Sequence, residues 1–253
     1  MSAPRVLALD FDGVIWDSAG ECFEVGWRAY KELFGSDLSG EANRARFLAG
    51  RPLARTGHDF FLLLRLLEGQ PDLDLSTFSP AEFLALRQQW AEEAAQFNVL
   101  FYQLRSQCRD EDFDAWASWQ GAYPEMIALL DRWQDRFVGV AIATTKDAAS
   151  AHALLQSVGR DWPIFGKEFS VDKSLQIAGI AEEFKVEPAE ILFIDDLLEN
   201  LQQVAPTGAQ SAMAAWGYNT EDLKDEARSL GYRVLGTHEL EIALREAMGE
   251  VPA

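Results

Sequence analysis

Three short apolar runs in this chain end abruptly in side chains that carry chemistry, and this coincidence constrains the fold more than any other feature of the sequence. Val6 to Leu9 runs into Asp10, Val138 to Ala143 into Thr144, and Ile191 to Ile194 into the pair Asp195 and Asp196. Each run is short and rich in aliphatic or β-branched residues, the pattern of a strand buried on both faces of a parallel sheet. Open α/β sheets bind ligands beyond the carboxyl ends of their strands, so the three runs predict one edge lined by carboxylates and a hydroxyl. Helical patterns over Pro124 to Arg136, Ala148 to Val158, Ser174 to Phe184 and Leu197 to Val204 alternate with these strands. A further strand is expected over Gln210 to Ala215, followed by helices from about Glu221 and about His238. The expected fold class is α/β, a doubly wound parallel-sheet core.

The alternation stops between about Ser18 and Trp119. This stretch carries helical patterns at Cys22 to Leu33, Asp59 to Leu67 and a long one from Pro80 towards Cys108. It predicts a separate α-helical domain, residues 18–119, inserted into a core formed by residues 1–17 and 120–253.

Composition narrows the function classes. With 48% hydrophobic residues in 253, the chain can bury a real core. No apolar run approaches the ~20 residues of a membrane helix, and the first strand begins directly after Arg5, leaving no room for a signal peptide. A soluble, cytoplasmic protein is the expectation. Lysine and arginine number 22 against 41 acids, a net charge of −19, which argues against nucleic acid or an anionic membrane as partner. An anionic substrate would then need a locally positive site. Cys22 and Cys108 have no spaced Cys/His set around them, so two reduced thiols are expected rather than a disulfide or a zinc site.

Asp10-Phe11-Asp12-Gly13-Val14 places two carboxylates two positions apart as the chain leaves its first strand, with Gly13 able to take a tight turn. That spacing suits a nucleophile that attacks phosphorus and a group that protonates the leaving oxygen and later activates water. A calcium loop or an ordinary turn can use the same letters. Adjacent acids at Asp195 and Asp196 repel one another unless a cation sits between them and the first site. Magnesium suits such a set, taking a few carboxylates, water and substrate phosphate oxygens; capping of the next helix by Asp196 is the plainer alternative. Thr144 and Thr145 close the second strand before a helix, where hydroxyl and amide groups hold phosphate oxygens or simply cap. Lys173 opens another helix, a place where a cation is disfavoured unless something negative lies nearby. Lys167 is its rival for that role, and simple solvent exposure is the alternative for either lysine.

In order and spacing these segments resemble the haloacid dehalogenase superfamily, in the branch with a helical cap inserted after the first motif. Asp10-Phe11-Asp12-Gly13-Val14 resembles its first motif, Thr144 the second, Lys173 the third, and Ile194-Asp195-Asp196 with Asn200 the fourth. The resemblance implies a Rossmann-like core in which Asp10 is nucleophile and metal ligand, Asp12 general acid/base, and Thr144 and Lys173 phosphate binders. Asp196, helped by Asp195, would complete a Mg2+ site to which the first-motif acids Asp10 and Asp12 also belong. The presence of Asp12 favours phosphatase or phosphomutase chemistry, and the leading expectation is a Mg2+-dependent phosphatase that hydrolyses a small phosphorylated metabolite through an aspartyl phosphate, with a phosphomutase of the same fold or a non-catalytic phospho-aspartate binding or signalling module as alternatives. Tyr123-Pro124 and Ala215-Trp216-Gly217-Tyr218 further resemble phosphoglycolate phosphatase-like members. The chain departs from them at Asp195, where glycine is common, at Leu197, where serine is common, and at Ser174, where proline often follows the lysine.

The charge balance points to one more candidate. Residues 42–58 hold no acid but contain Arg44, Arg46, Arg51 and Arg55. Gly50-Arg51-Pro52 resembles the short cap loop that reaches over the active site in helical-cap phosphatases, and the arginine fork suits carboxylate or phosphate. Arg51 is therefore expected to contact substrate, with Arg55 second. A basic face pairing with acids elsewhere on the protein is the alternative.

Overall fold

The computed structural model describes residues 3–70, 72–78 and 80–250. The chain divides into two compact units, one taking residues up to Asp17 and from Ala122 onwards, the other Ser18–Gly121.

Eight strands occur along the described chain: β1 (Val6–Leu9), β2 (Trp16–Asp17), β3 (Gly121–Ala122), β4 (Gly139–Ala143), β5 (Ile164–Phe165), β6 (Ile191–Asp195), β7 (Gln210–Ala214) and β8 (Arg233–Leu235). Six form one parallel sheet in the order β5-β4-β1-β6-β7-β8, while β2 and β3 pair with each other. Every residue of β1 is buried, as a central strand covered on both faces requires. Helices α7 (Pro124–Trp133), α8 (Ala148–Ser157), α9 (Lys173–Phe184), α10 (Leu198–Val204), α11 (Glu221–Ser229) and α12 (Thr237–Ala247) alternate with the sheet strands. Ile177 and Ile180 of α9 and Leu201 and Val204 of α10 share one apolar core with Val6, Ala8, Ala141, Phe193 and Met213 of the sheet.

Register sets the functional edge. Leu9 stands opposite Ile142 on one side and Ile194 on the other, so the next residue, Asp10, is level with Ala143 and Asp195. The Asp10 amide continues the ladder by donating to the Ile194 carbonyl at 2.9 Å.

The inserted unit contains α1 (Ala19–Phe34), α2 (Glu41–Ala49), α3 (Gly57–Gly69), α4 (Pro80–Gln89), α5 (Ala91–Glu111) and α6 (Phe113–Ala117). Its core is aromatic, with Phe23, Phe47, Phe60, Phe61, Phe97 and Phe101 all buried. Arg105 of α5 donates two hydrogen bonds, at 2.8 and 2.7 Å, to Glu21 of α1, which also accepts from the Trp116 indole at 3.1 Å. These bonds satisfy a buried charge pair that would otherwise be costly.

Two expectations change here. The helical pattern from Pro80 towards Cys108 is two helices, because Trp90 leaves the helical region (φ −125°, ψ 37°) and its carbonyl starts α5 by accepting from Ala94. No glycine or proline marks that break in the sequence. The edge strands β5 and β8 and helix α2 were not expected; two or three residues are too few to show a period. No described helix is long and apolar enough to cross a membrane.

Candidate active site

The core's strand ends bring most of the candidate residues together. Asp10, Asp195 and Asp196 offer carboxylate oxygens that all lie within 4.8 Å of one another, and all three residues are buried. Lys173, fully buried at the first turn of α9, faces this cluster with its ammonium 2.7 Å from Asp10 Oδ1 and 3.3 Å from Asp195 Oδ2. It also donates to the Ala143 carbonyl. Asp172 caps α9 by accepting from the Ser174 amide at 2.8 Å, and Gln203 accepts the Lys173 amide at 3.2 Å. The lysine tolerates its place at a helix N-terminus because two carboxylates outweigh the helix dipole. Of the two rival lysines, Lys173 is thus the one that meets the cluster; Lys167, half-buried, donates its amide to the Lys146 carbonyl at 3.2 Å.

The charges of the cluster do not balance. Three carboxylates face one ammonium, and burial pushes the Asp10 carboxyl from its ordinary value of 3.8 up to about 7; Lys173 opposes this, while Asp195 and Asp12 add to it. Burial alone would lower the Lys173 ammonium, yet Asp10 and Asp195 overcome it and hold the ammonium above its usual range. Both directions follow from a local excess of negative charge. A hard divalent cation would relieve that excess and keep Asp10 ionised.

Asp195 and Asp196 are fixed differently. Asp195 accepts from the Leu197 amide at 2.9 Å and from the Asn200 amide side chain at 2.9 and 3.1 Å. Asp196 accepts from the Tyr218 amide at 2.5 Å, and its carbonyl accepts from Asn219 at 3.0 Å. Its side chain fills a slot that exists only because two neighbours lack a Cβ. One added at Gly13 would lie 2.3 Å from Asp196 Oδ2, and one at Gly217 2.2 Å from Asp196 Cβ. Gly13 also takes φ +89°, which a side chain resists. The turn it occupies is tied down by Trp216, whose indole donates to the Val14 carbonyl at 3.0 Å. Three oxygen donors in a shaped, buried slot fit magnesium by donor type and charge.

Asp12 stands outside this group of three. Its carboxylate, 21% exposed, lies 3.2 and 3.4 Å from the ammonium of Lys146, whose side chain is wholly buried. Lys146 was not singled out from the sequence. The signal was there: it is the cation two residues beyond Thr144, in the same turn at the same sheet edge.

Thr144 is buried, with its amide on the Phe165 carbonyl at 3.0 Å and its hydroxyl oxygen accepting the Lys146 amide at 3.1 Å. In that contact the hydroxyl is an acceptor, and its proton is not used. Buried Gln176 of α9 holds the turn by donating to the Thr144 carbonyl at 2.8 Å. Thr145 is half-buried, and the cap of α8 is Asp147, which accepts from the Ser150 amide at 2.8 Å.

Arg51 and Arg55 belong to the other unit. Arg51 is nearly buried, donating to the Ala54 carbonyl at 2.7 Å, with its guanidinium 5.3 Å from the centre of the Phe60 ring. Arg55 donates to the Pro52 carbonyl at 2.6 Å, and Arg46 to the carbonyls of Gln70 and Leu73. Much of the basic segment therefore satisfies carbonyls of its own unit.

The model of the haloacid dehalogenase-like hydrolase family matches residues 4–202. Among solved structures, the chain is similar to a protein from Lactobacillus delbrueckii subsp. bulgaricus provisionally named a phosphoglycolate phosphatase, with TM-score 0.70 and 13% identity over 96% of this chain and 99% of that one. It is similar also to a predicted phosphoglycolate phosphatase from Haemophilus somnus, with TM-score 0.67 and 16% identity over 96% and 99% of the two chains. A third similar structure, a haloacid dehalogenase family hydrolase from Deinococcus radiodurans with bound phosphate and sodium, has TM-score 0.57 and 18% identity over the whole of both chains. At these identities the structural likeness establishes the fold. No curated protein matches the sequence.

Proposed function

The chain belongs to the haloacid dehalogenase-like hydrolase family, and we propose that it is a magnesium-dependent phosphatase that cleaves a small phosphorylated metabolite through an aspartyl phosphate on Asp10. One observation carries this reading: the two first-motif carboxylates are held differently. Asp10 sits in a buried carboxylate cluster against Lys173, whereas Asp12 stands apart, partly open, on Lys146. A nucleophile and a proton-transfer group need that difference in surroundings.

Asp10, Asp195 and Asp196 would hold the magnesium, which when bound supplies positive charge to the carboxylates and to substrate phosphate oxygens. Lys173 and the Thr144 hydroxyl, with the backbone of Thr145, bind and orient the phosphoryl group. Asp10 forms the new bond to phosphorus as the ester oxygen departs, and Asp12 gives that oxygen its proton. Asp12 then takes a proton from the water that opens the acyl phosphate, returning Asp10 and releasing inorganic phosphate.

Support for a small phosphorylated substrate comes from two proteins of the same fold, one provisionally named and one predicted to be a phosphoglycolate phosphatase. The Deinococcus protein, of the same fold, has phosphate and sodium bound, which supports a phosphate-binding role. Arg51 is the proposed substrate contact from the inserted unit.

The test is phosphate release from a panel of phosphorylated metabolites in magnesium and then in chelator, with product analysis. Free phosphate that appears in magnesium and stops in chelator is the expected result. No turnover of any ester, or an isomerised ester as product, overturns the assignment.

A further inference from the structure

Lys146 takes no part in the cluster around Asp10, yet its side chain is buried completely at the same sheet edge. A buried ammonium needs a carboxylate. The one it meets is Asp12, contacted through both oxygens at 3.2 and 3.4 Å. The two residues are not equally enclosed: Lys146 approaches from inside the protein, while Asp12 keeps 21% of its side chain open. A pair that served only to stabilise the core would be enclosed on both sides.

The backbone around Lys146 is also pinned. Its amide donates to the Thr144 hydroxyl at 3.1 Å, its carbonyl accepts the Lys167 amide at 3.2 Å, and Asp147 beside it caps α8. The ammonium also lies 5.9 Å from the centre of the ring of Phe11, the residue between the two first-motif acids in sequence. Asp12, by contrast, lies in a turn built around the left-handed Gly13. Rigid support beneath a carboxylate on a turn is what fixes a proton-transfer group in its working position.

We propose that Lys146 is a positioning residue for Asp12: it holds the Asp12 carboxylate facing the reacting oxygen and acts on turnover through Asp12 alone. The role rests on the proposed phosphatase activity and adds to it a residue that does not itself touch substrate.

A double-mutant cycle tests this on the full chain with an aryl phosphate, whose good leaving group keeps slow variants measurable. Lys146→Met is expected to lower kcat by about 10²-fold, the cost of misplacing a catalytic group by ~1 Å, with KM and magnesium affinity near wild type. In an Asp12→Ala background the same substitution is expected to have no further effect on kcat, and Lys146→Arg is expected to recover part of the loss. Melting curves in magnesium identify folded variants; if Lys146→Met is unfolded, the cycle is run with Lys146→Arg. Multiplying losses in the double mutant, or a loss confined to KM, overturns the proposal and makes Lys146 a substrate contact. A wild type that hydrolyses no ester overturns the phosphatase reading and this role together, whereas an active wild type with multiplying losses overturns only the role.

Discussion

Lys173 Nζ lies 2.7 Å from Asp10 Oδ1, both residues shut away from solvent although 163 positions separate them in the chain. The same ammonium is 3.3 Å from Asp195 Oδ2, so one cation compensates two buried carboxylates from neighbouring strands. Lys173→Met leaves those carboxylates buried without it and is expected to destabilise the metal-free protein by about 3–5 kcal/mol, the usual cost of breaking a buried pair. Magnesium should offset part of this loss. Urea unfolding in chelator and in magnesium measures both values, and equal losses would mean that no metal shares the cluster's charge.

The pH dependence of the metal-free protein follows from Asp10. Because burial raises this carboxyl to about 7, the folded state holds the proton more tightly than the unfolded chain does. The group therefore costs nothing below its unfolded value of 3.8, costs progressively more as pH rises towards about 7, and adds no further slope above that. Stability in chelator is expected to fall over this window by on the order of a few kcal/mol. Asp10→Asn should remove this part of the slope, abolish turnover and leave the fold intact. Urea midpoints for both proteins across the window check the sign; identical slopes would show that Asp10 is an ordinary carboxylate.

The glycine slot around Asp196 predicts two variants with a shared phenotype. A methyl group at Gly217 would fall 2.2 Å from Asp196 Cβ and 2.6 Å from the Gly13 carbonyl, and one at Gly13 would meet Asp196 Oδ2 as well as a strained φ. Gly13→Ala and Gly217→Ala are each expected to cost about 1–3 kcal/mol through overpacking. Both should also weaken magnesium binding at least tenfold by displacing the Asp196 carboxylate. Calorimetric titration with magnesium reads this directly, and wild-type affinity in either variant would remove Asp196 from the ligand set.

Arg51 carries a contact within its unit as well as the proposed contact with substrate. Losing its hydrogen bond to the Ala54 carbonyl and its packing on Phe60 should cost about 1–3 kcal/mol in Arg51→Ala. A substrate contact predicts in addition a higher KM, or an altered substrate ranking, at a temperature where the variant is fully folded. Destabilisation with unchanged kinetics would confine Arg51 to packing.

The sequence determined what local pattern can encode. The runs ending at Asp10, Thr144 and Asp195 are legible because a buried parallel strand is a short apolar run and its end is marked by the first polar residue. That the adjacent acids Asp195 and Asp196 would repel one another is legible from the sequence alone, and the structure sets the Lys173 ammonium 3.3 Å from Asp195. Strand register, helix packing and turn geometry decided the rest. Asp12 is only two residues from Asp10, yet its carboxylate turns to Lys146, 134 positions away, because the turn at Gly13 and the pinned loop after β4 bring those two side chains face to face. Gly13 and Gly217 are 204 residues apart, yet they share one neighbour in Asp196, and no spacing rule relates them. The break at Trp90 and the two short edge strands escaped the sequence for a related reason. Their conformations are fixed by what they pack or pair against, and a residue's own propensity is too weak to announce it.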